Sequence, residues 1–521
     1  MIVCGINIGH YSSLTLMKDG KIIYYNEETK VSQKKIMSGI PYYCIDQIKD
    51  YEIDHIWVTS YNWEKVELTN LKNYLFYKKI LKEDKEIFCL WHPHHLAHLY
   101  KAYVDSGFKK ARVFVIDGRG SNWVTGNNTG TGYETSSIYD IEGSKVSCVY
   151  KKIYSTINNN LIFDSKKLIN NIGINKNTKF EVTNKVDLGL FYSHISTRFG
   201  YDQAEGKFMG LTSYGKINYN LLKELNKGFT EEEIMKLPVN VDASKTYQTY
   251  FENKYQELVK KFKAPNMIFT GGTALNVVNN YKLKKLFPKS KMYFEPLCGD
   301  EGNSIGAAYY HYLINNKKIK IDKNIFIGSE IKIDKNLLKN EYLKSNITIK
   351  DIVNILNKGE VIGLIKGKAE GGPRALGNRS LLLDPTIKNA KDIMNEIKKR
   401  EHFRPFACSI LEKNFSEYFD VDKKEKSLFM MTAPQAKKKA MLTVPSIVHV
   451  DGTCRVQTVS KNNKQLYKIL KEFKVPVIMN TSFNLAGYPM VEKFKDVLFT
   501  LRNSKLKYVY FSDENKLIIK K

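Results

Sequence analysis

Arginine, paired cysteines and long apolar runs are what this sequence has least of. Only nine of its 82 basic residues are Arg. Its seven cysteines (positions 4, 44, 89, 148, 298, 408 and 454) are odd in number, widely spaced and never arranged as CxxC. That argues against a disulfide framework and a zinc finger, and sets a reducing cytoplasm as the expected compartment. No stretch approaches 18 uncharged apolar residues, which excludes a membrane-spanning helix. The opening MIVCGINIGHYSSLTL has no basic n-region and interrupts its apolar run at Gly5, Asn7 and His10, so it reads as a strand and not as a signal peptide.

What is there is ordinary for a globular chain: 521 residues, 43% hydrophobic and 26% charged, enough for two to four domains. The net charge of +28 is not ordinary. Abundant Lys, Ile, Asn and Tyr has the look of A/T-rich codon usage, which inflates Lys without function. Acidic residues did not rise in step, so an anionic partner is also expected. The same bias gives the few Arg a meaning. They mark places where a point charge would not serve and a rigid bidentate fork is needed.

The first third reads as strand, Asp19-Gly20 turn, strand, and the pattern returns about a hundred residues later. ARVFVIDGRGSNW is a strand ending at Asp117-Gly118, followed by a hairpin around Glu142-Gly143. A helical stretch containing LTNLKNYLFYKKILKE separates the two copies. Together they predict a duplicated α/β core with its ligand between the halves. Tyr154–Asn184, rich in Lys and Asn, reads as loops or an insertion. PNMIFTGGTALNVVNNYKLKKL is strand, glycine turn, helix, and Asn324–Asn336 reads as a polar linker. A fresh α/β pattern begins near Ile349, which predicts domains at 1–330 and 331–521.

Three constellations carry chemistry. In WHPHHLAHLY, four of the ten His lie within seven residues. His94 and His98 stand at i and i+4, on one face of a helix, whereas His92 and His95 point elsewhere. Asp117 ends an apolar strand, where an acid is costly unless paired or metal-bound, and Asp300 precedes a helix in CGDEGNS. Two His with carboxylates suit iron, manganese or zinc alike. The second constellation is Gly271-Gly272 with Gly299, Gly302 and Gly306, a set that permits close approach of backbone N–H groups to phosphate. The third is an arginine concentration. Arg374, Arg379, Arg400, Arg404 and Arg455 are five of the nine, and they predict planar oxyanion recognition. NTSFN, Asn480 to Asn484, reads as a polar strand end where α/β proteins bind ligands.

As an ordered set, GINIGHYSS, HHLAH, VIDGRGS, EGKFMGLTSYG, TGGTALN, GDEGNSIGAA, GPRALGNRS, REHFRPFA, HVDGTCRVQT and NTSFN resemble the O-carbamoyltransferases of the nodulation-factor and aminoglycoside-antibiotic (tobramycin) type, over nearly the whole chain. The resemblance implies an N-terminal domain of actin-like ATPase fold, like the threonylcarbamoyl-adenosine transferase, and a C-terminal α/β domain like the threonylcarbamoyl-adenylate synthase. It implies that carbamoyl phosphate and ATP form a carbamoyl-adenylate intermediate in the C-terminal domain, and that an acceptor hydroxyl then takes the carbamoyl group in the N-terminal domain. By motif, His94, Asp117 and Asp300 would hold a divalent metal, Fe(II) foremost, with His98 beside it. His10 would activate the acceptor. Lys207, Gly271, Gly272 and Asn276 would contact the nucleotide. Arg374, Arg400, Arg404, Asn480 and Ser482 would hold carbamoyl phosphate and triphosphate, with His449 and Arg455 nearby. A homodimer is compatible with the family pattern.

The sequence departs from that pattern at Tyr11 and Ser121, where the family usually has acids, at Leu99-Tyr100-Lys101, where small residues are common, and at Cys408, where proline is usual. Tyr11 and Ser121 are expected where an acceptor approaches, so the acceptor is expected to differ. With the basic charge, a hydroxymethyl-pyrimidine of DNA or its nucleotide is the preferred expectation. The alternatives are a sugar hydroxyl on an oligosaccharide or antibiotic, and a tRNA threonylcarbamoyl-type modification. A non-catalytic polyanion binder is a further class, against which the intact His94, Asp117, Asp300 and Arg374 argue.

Overall fold

A computed structural model describes residues 1–60, 65–81, 86–89, 93–124, 131–156, 173–321 and 325–521. The protein is mixed α/β and forms two compact units. The first comprises Met1–Glu28, Ile36–Asn276 and Lys282–Lys323; the second comprises Thr29–Lys35, Val277–Tyr281 and Asn324–Lys521. Among the described residues no helix is long and apolar enough to cross a membrane.

The first unit holds two sheets. One is built from β1 (Ile2–Asn7), β2 (Ser13–Lys18), β3 (Lys21–Glu27), β4 (His55–Thr59) and β5 (Ile87–Cys89), in the order β3-β2-β1-β4-β5. The other is built from β6 (Lys110–Ile116), β7 (Asn122–Val124), β8 (Thr131–Glu142), β9 (Lys145–Ser155), β10 (Lys179–Thr183), β11 (Asn266–Thr270) and β12 (Lys291–Phe294), in the order β10-β9-β8-β6-β11-β12 with β7 on β8. Apart from β7 and β10, the second order repeats the first. An antiparallel meander occupies one side of a leading strand and two parallel strands the other. The hairpin turns form where Asp-Gly and Glu-Gly predict them, with Asp19 at φ 50° and Gly20 at φ 80°.

Strand β6 reads as a continuous apolar run because both faces of its sheet are covered, and Val113 through Ile116 are fully buried. Phe114, Phe269 and Phe294 stack across β6, β11 and β12 at centroid distances of 5.1 and 5.0 Å, locking the register of the strand that ends at Asp117. The helices Pro93–Ser106 and Asn303–Ile314 pack on each other. Their crossing needs Gly306, since a Cβ there would lie 2.0 Å from the Ala97 carbonyl oxygen.

In the second unit, β13 (Phe326–Glu330) pairs with β16 (Lys368–Glu370). The main sheet contains β14 (Glu341–Lys344), β15 (Ile362–Ile365), β17 (Arg379–Leu383), β18 (Ala407–Leu411), β19 (Val456–Val459), β20 (Val477–Ser482), β21 (Tyr508–Phe511) and β22 (Lys516–Lys520), ordered β14-β22-β21-β15-β17-β20-β18-β19.

Three sequence expectations need correction. The polar run expected as a linker contains β13, whose backbone finds a partner strand that composition does not reveal. The Lys- and Asn-rich middle contains β10, parallel to β9, although residues 157–172 lie outside the described set. Arg379 does not join an oxyanion site. It is fully buried and donates to the carbonyls of Lys366, Asn378, Ser329 and Gly367 at 2.7–2.9 Å, which fixes the turns around β17. Arg379→Met would leave those carbonyls without their donor. We expect a loss of about 3–5 kcal/mol in urea unfolding, the scale of a buried charged group removed from its partners.

Candidate functional site

In the first unit a four-residue cluster assembles from three chain segments. The helix Pro93–Ser106 presents His94 and His98 one turn apart, β6 ends in Asp117, and the turn before the helix Asn303–Ile314 supplies Asp300. The four ligand atoms lie within 4.8 Å of one another. His94 Nε2 is 3.1 Å from Asp117 Oδ2 and 3.2 Å from Asp300 Oδ1; His98 Nε2 is 3.5 and 3.4 Å from the same oxygens. Both imidazoles are buried. Burial disfavours an imidazolium at His94, but Asp300 and Asp117 outweigh it and raise its pKa to about 10. Burial likewise opposes ionisation of Asp300, and His94 and His98 overcome it to hold the carboxyl at about 2.

The surroundings aim these groups. Asp117 Oδ1 accepts from the backbone N–H of Gly118 at 2.8 Å and of Gly272 at 3.0 Å, which leaves Oδ2 for the cluster. Gly271 makes the second contact possible. Its φ is 83°, and a Cβ there would lie 2.4 Å from the Ile116 carbonyl oxygen. The glycine pair thus grips the cluster's own carboxylate. Asn303 Nδ2 lies 3.3 Å from His98 Nε2.

Neighbouring donor atoms 3.1–3.5 Å apart have the spacing of ligands around one ion at about 2.0–2.2 Å. Two imidazoles with two carboxylates form a donor set suited to a divalent iron, manganese or zinc ion. The residues present therefore fit the metal that the family resemblance implies.

His10, in the loop after β1, lies beside the cluster, with Nδ1 3.9 Å from Asp300 Oδ2 and Nε2 2.9 Å from Gln203 Oε1. Tyr11 packs edge-on against it at 4.3 Å. Burial raises the Tyr11 pKa, and Glu301, Glu205, Asp300 and Glu27 add to the rise, so carboxylates surround this loop. His95 turns away, as expected, with Nδ1 2.7 Å from Ser137 Oγ; burial lowers its pKa to about 3. His92 lies outside the described residues. Ser121 is not where an acceptor would approach. It is buried, and its Oγ accepts from the His94 backbone N–H at 3.1 Å, which caps the histidine helix. Lys207 sits on the helix Glu205–Leu211 with Nζ 5.9 Å from the Tyr201 ring centroid. Asn276 is buried against Gln248, with two 3.2 Å contacts between the amides.

The second unit brings a set of cations together. Burial pushes the Arg455 pKa well below the usual guanidinium range, and Arg374, Arg400 and Arg404 push it the same way. Burial and Arg404 bring Arg400 down to about 9 despite Glu401. Arg400 is oriented by Asn395 Oδ1 at 2.8 Å and the Pro405 carbonyl at 3.1 Å, and lies 3.9 Å from the Phe406 ring centroid. Arg404 faces Glu401 at 3.6 Å. The cations repel one another, Glu401 opposes that repulsion at Arg400 and Arg404, and a bound anion would relieve it further.

Lys398 belongs to this set and escaped the sequence reading. It is only 3% exposed. Its three N–H donors are shared among four acceptors: the Ser482 carbonyl, Ser482 Oγ at 3.2 Å, and Asn484 O and Oδ1 at 3.0 and 2.8 Å. Burial, Arg400 and Arg404 hold its pKa well below the lysine range. In a chain full of solvated Lys, its one sequence signal is Arg400 two positions on. Asn480 is buried behind the site, its amide nitrogen directed at Ser409 Oγ (2.8 Å), Gln457 Oε1 (3.2 Å) and the Ala375 carbonyl (3.3 Å), so it ties β20 to the loop bearing Arg374. His449 is buried in a turn closed by Gly452 N–H on its carbonyl at 2.9 Å.

A family model described as Carbamoyltransferase N-terminus matches residues 55–256 and 242–309, and one described as Carbamoyltransferase C-terminus matches residues 353–520. This chain belongs to the carbamoyltransferase family. It is similar to the uncharacterized protein MJ1051 of Methanocaldococcus jannaschii, 28% identical over 95% of this chain and 96% of that protein. It is similar to nodulation protein NolNO of Sinorhizobium fredii, 25% identical over 95% of this chain and 77% of that protein. Nodulation protein U of Sinorhizobium fredii is 31% identical over 43% of this chain and 40% of its own length. Among solved structures, full-length HypF in a phosphate- and nucleotide-bound form covers 61% of this chain and 56% of that chain at 15% identity and a TM-score of 0.36.

The cluster of this carbamoyltransferase predicts a proton-linked metal titration. His94 keeps its proton up to about pH 10, so a divalent ion added at pH 7–8 to chelator-stripped protein should release a proton. Affinity should rise with pH. The folded pKa of His94 exceeds the unfolded 6.5, so in stripped protein its proton contributes stability fully below pH 6.5 and that contribution is lost as pH rises through about 10, whereas the contribution of Asp300 is lost as pH falls through about 2. Calorimetry in two buffers of different ionisation enthalpy checks the first point, and His94→Ala should weaken both, leaving the share carried by His98.

Proposed function

We propose that this protein is an ATP- and carbamoyl-phosphate-dependent O-carbamoyltransferase working through carbamoyl-adenylate. The cation set of Arg374, Lys398, Arg400, Arg404 and Arg455 is the observation that carries the reading, because carbamoyl phosphate and triphosphate are the anions it would neutralise. The atom balance of the first step requires one water. Carbamoyl phosphate gives its phosphoryl group to water as inorganic phosphate, the carbamate oxygen attacks the α-phosphorus of ATP, and pyrophosphate leaves. Arg400, held over the Phe406 ring, would clamp equatorial phosphate oxygens. Lys398, held by Ser482 and Asn484, would keep its donors in place as charge moves.

In the second step the acceptor hydroxyl attacks the carbamoyl carbon, His10 takes its proton, and the bond to AMP breaks. His94, His98, Asp117 and Asp300 would hold the divalent ion, which when bound supplies Lewis-acid stabilisation of charge at the reacting carbonyl. With Nε2 engaged by Gln203 Oε1, His10 would present Nδ1 as the basic nitrogen on the cluster side.

The carboxylates around Tyr11 favour an acceptor whose reacting group is uncharged, and the net charge of +28 favours one carried by a polyanion. A hydroxymethyl base of DNA, brought out of its stack, meets both conditions. A sugar hydroxyl meets the first and is the second reading.

Metal-loaded protein should catalyse ATP–pyrophosphate exchange that depends on carbamoyl phosphate. Arg400→Met should cut that exchange by about 10²-fold or more. His10→Ala should leave it intact while transfer to the acceptor falls by about 10²–10⁴-fold. Labelled carbamoyl phosphate offered with hydroxymethylcytosine DNA, its mononucleotide and an aminoglycoside then identifies the acceptor. Label on DNA should decline steeply with salt, whereas label on a sugar should not. Exchange that ignores carbamoyl phosphate would sink the adenylate reading.

A further inference from the structure

We propose that Lys101 is a positioning residue for the metal centre, clamping the loop that carries Asp300 onto the helix that carries His94 and His98. The inference rests on reading the His94–His98–Asp117–Asp300 cluster as that centre. Residues 94, 98, 101 and 105 follow one another at helical spacings of four, three and four, so they form a single stripe along Pro93–Ser106. The upper half of the stripe faces Asp117 and Asp300. The lower half faces the start of the Asp300 loop.

Lys101 is 4% exposed, and its Nζ lies 2.6 Å from both Asp105 Oδ2 and Glu295 Oε1. Glu295 is fully buried just beyond β12, where its backbone N–H donates to the Phe269 carbonyl at 3.0 Å. The same Oε1 accepts from the Leu297 backbone N–H at 3.1 Å, so one oxygen joins the lysine to the loop backbone. Asp105 Oδ1 accepts from Tyr309 O–H at 3.0 Å, which brings the helix following Asp300 to the same stripe. The segment from Glu295 to Tyr309 is therefore fastened to one helix face on both sides of Asp300. Asp300 has no covalent reason to stay within 3.2–3.4 Å of the two imidazoles; these polar ties supply a physical one. A buried ammonium between two carboxylates is costly to desolvate and stays only while its partners hold it, which makes the clamp specific in place and not merely adhesive.

Lys101→Met keeps most of the side-chain volume and removes the tie. Metal–ligand distances keep to within about 0.2 Å of their usual values, and loss of outer partners costs about 10–100-fold in affinity. The test is anaerobic Co(II) titration of the stripped full-length chain, with visible absorption and thermal unfolding recorded on the same samples. Lys101→Met should bind Co(II) at least about tenfold more weakly, with an altered ligand-field spectrum. The double variant Lys101→Met/Glu295→Gln removes both buried charges. It should recover thermal stability but neither the affinity nor the spectrum. Val259→Ala, a cavity in the buried face of the helix Val241–Lys261, should lower thermal stability while leaving both unchanged. Wild-type affinity and spectrum in Lys101→Met overturn the inference, as does an equal loss of affinity in Val259→Ala. Affinity regained in the double variant also overturns it, by assigning the effect to an uncompensated carboxylate. A wild-type chain that binds no Co(II) overturns the metal reading and the clamp with it.

Discussion

Two carboxylates buried side by side repel each other and forgo hydration; His94 and His98, facing both, favour the ionised form of Asp117 and Asp300, and two backbone N–H groups add to this at Asp117. Much of the first unit serves that arrangement. The stacked phenylalanines of β6, β11 and β12 set where β6 stops, and therefore where Asp117 emerges. The Gly271-Gly272 turn approaches closely enough to occupy one oxygen of Asp117 and direct the other inward. Gly306 lets two helix backbones cross without an intervening side chain, which brings Asp300 to the histidine helix. Ser121 caps the first turn of that helix.

The second unit presents the opposite electrostatic problem. Its cations lie close together, and burial lowers the pKa of Arg400 and Arg404 while Glu401 opposes that shift. Neutral groups hold them instead: Asn395 and the Pro405 carbonyl for Arg400, and Ser482 with Asn484 for Lys398. Orientation by neutral acceptors leaves positive charge available to a ligand, whereas a carboxylate partner would have spent it. Arg379 illustrates the other use of a guanidinium. Surrounded by carbonyls and removed from solvent, it is a fastener of turns.

Local signals were legible in the chain where one residue type has one conformational meaning. Asp19-Gly20 predicts a turn, His94 and His98 share a helix face, and the apolar run before Asp117 predicts a buried strand. The repeated β layout was readable as well, since the same alternation recurs at similar spacing and the two sheets adopt the same order apart from β7 and β10. Less legible were β10 and β13, which are polar and form because a neighbouring strand offers backbone partners. Arg379 could not be told from Arg400 by sequence, because the difference lies in what surrounds each guanidinium. Ser121 looked open to an acceptor and is instead folded inward as a cap.

Taken alone, the sequence determined the family, the mixed α/β character and the residues from which a metal cluster could be drawn. Motif order and short-range periodicity are properties of the chain itself. Tertiary structure decided which of those residues meet. Asp117 and Asp300 are 183 positions apart, and Lys101 finds Glu295 across a comparable gap. It also decided which cations are buried, and so which of the many lysines, Lys398 and Lys101 among them, differ from their solvated neighbours. Burial and long-range approach set the energy of a charge, and neither is encoded in the few residues on either side of it.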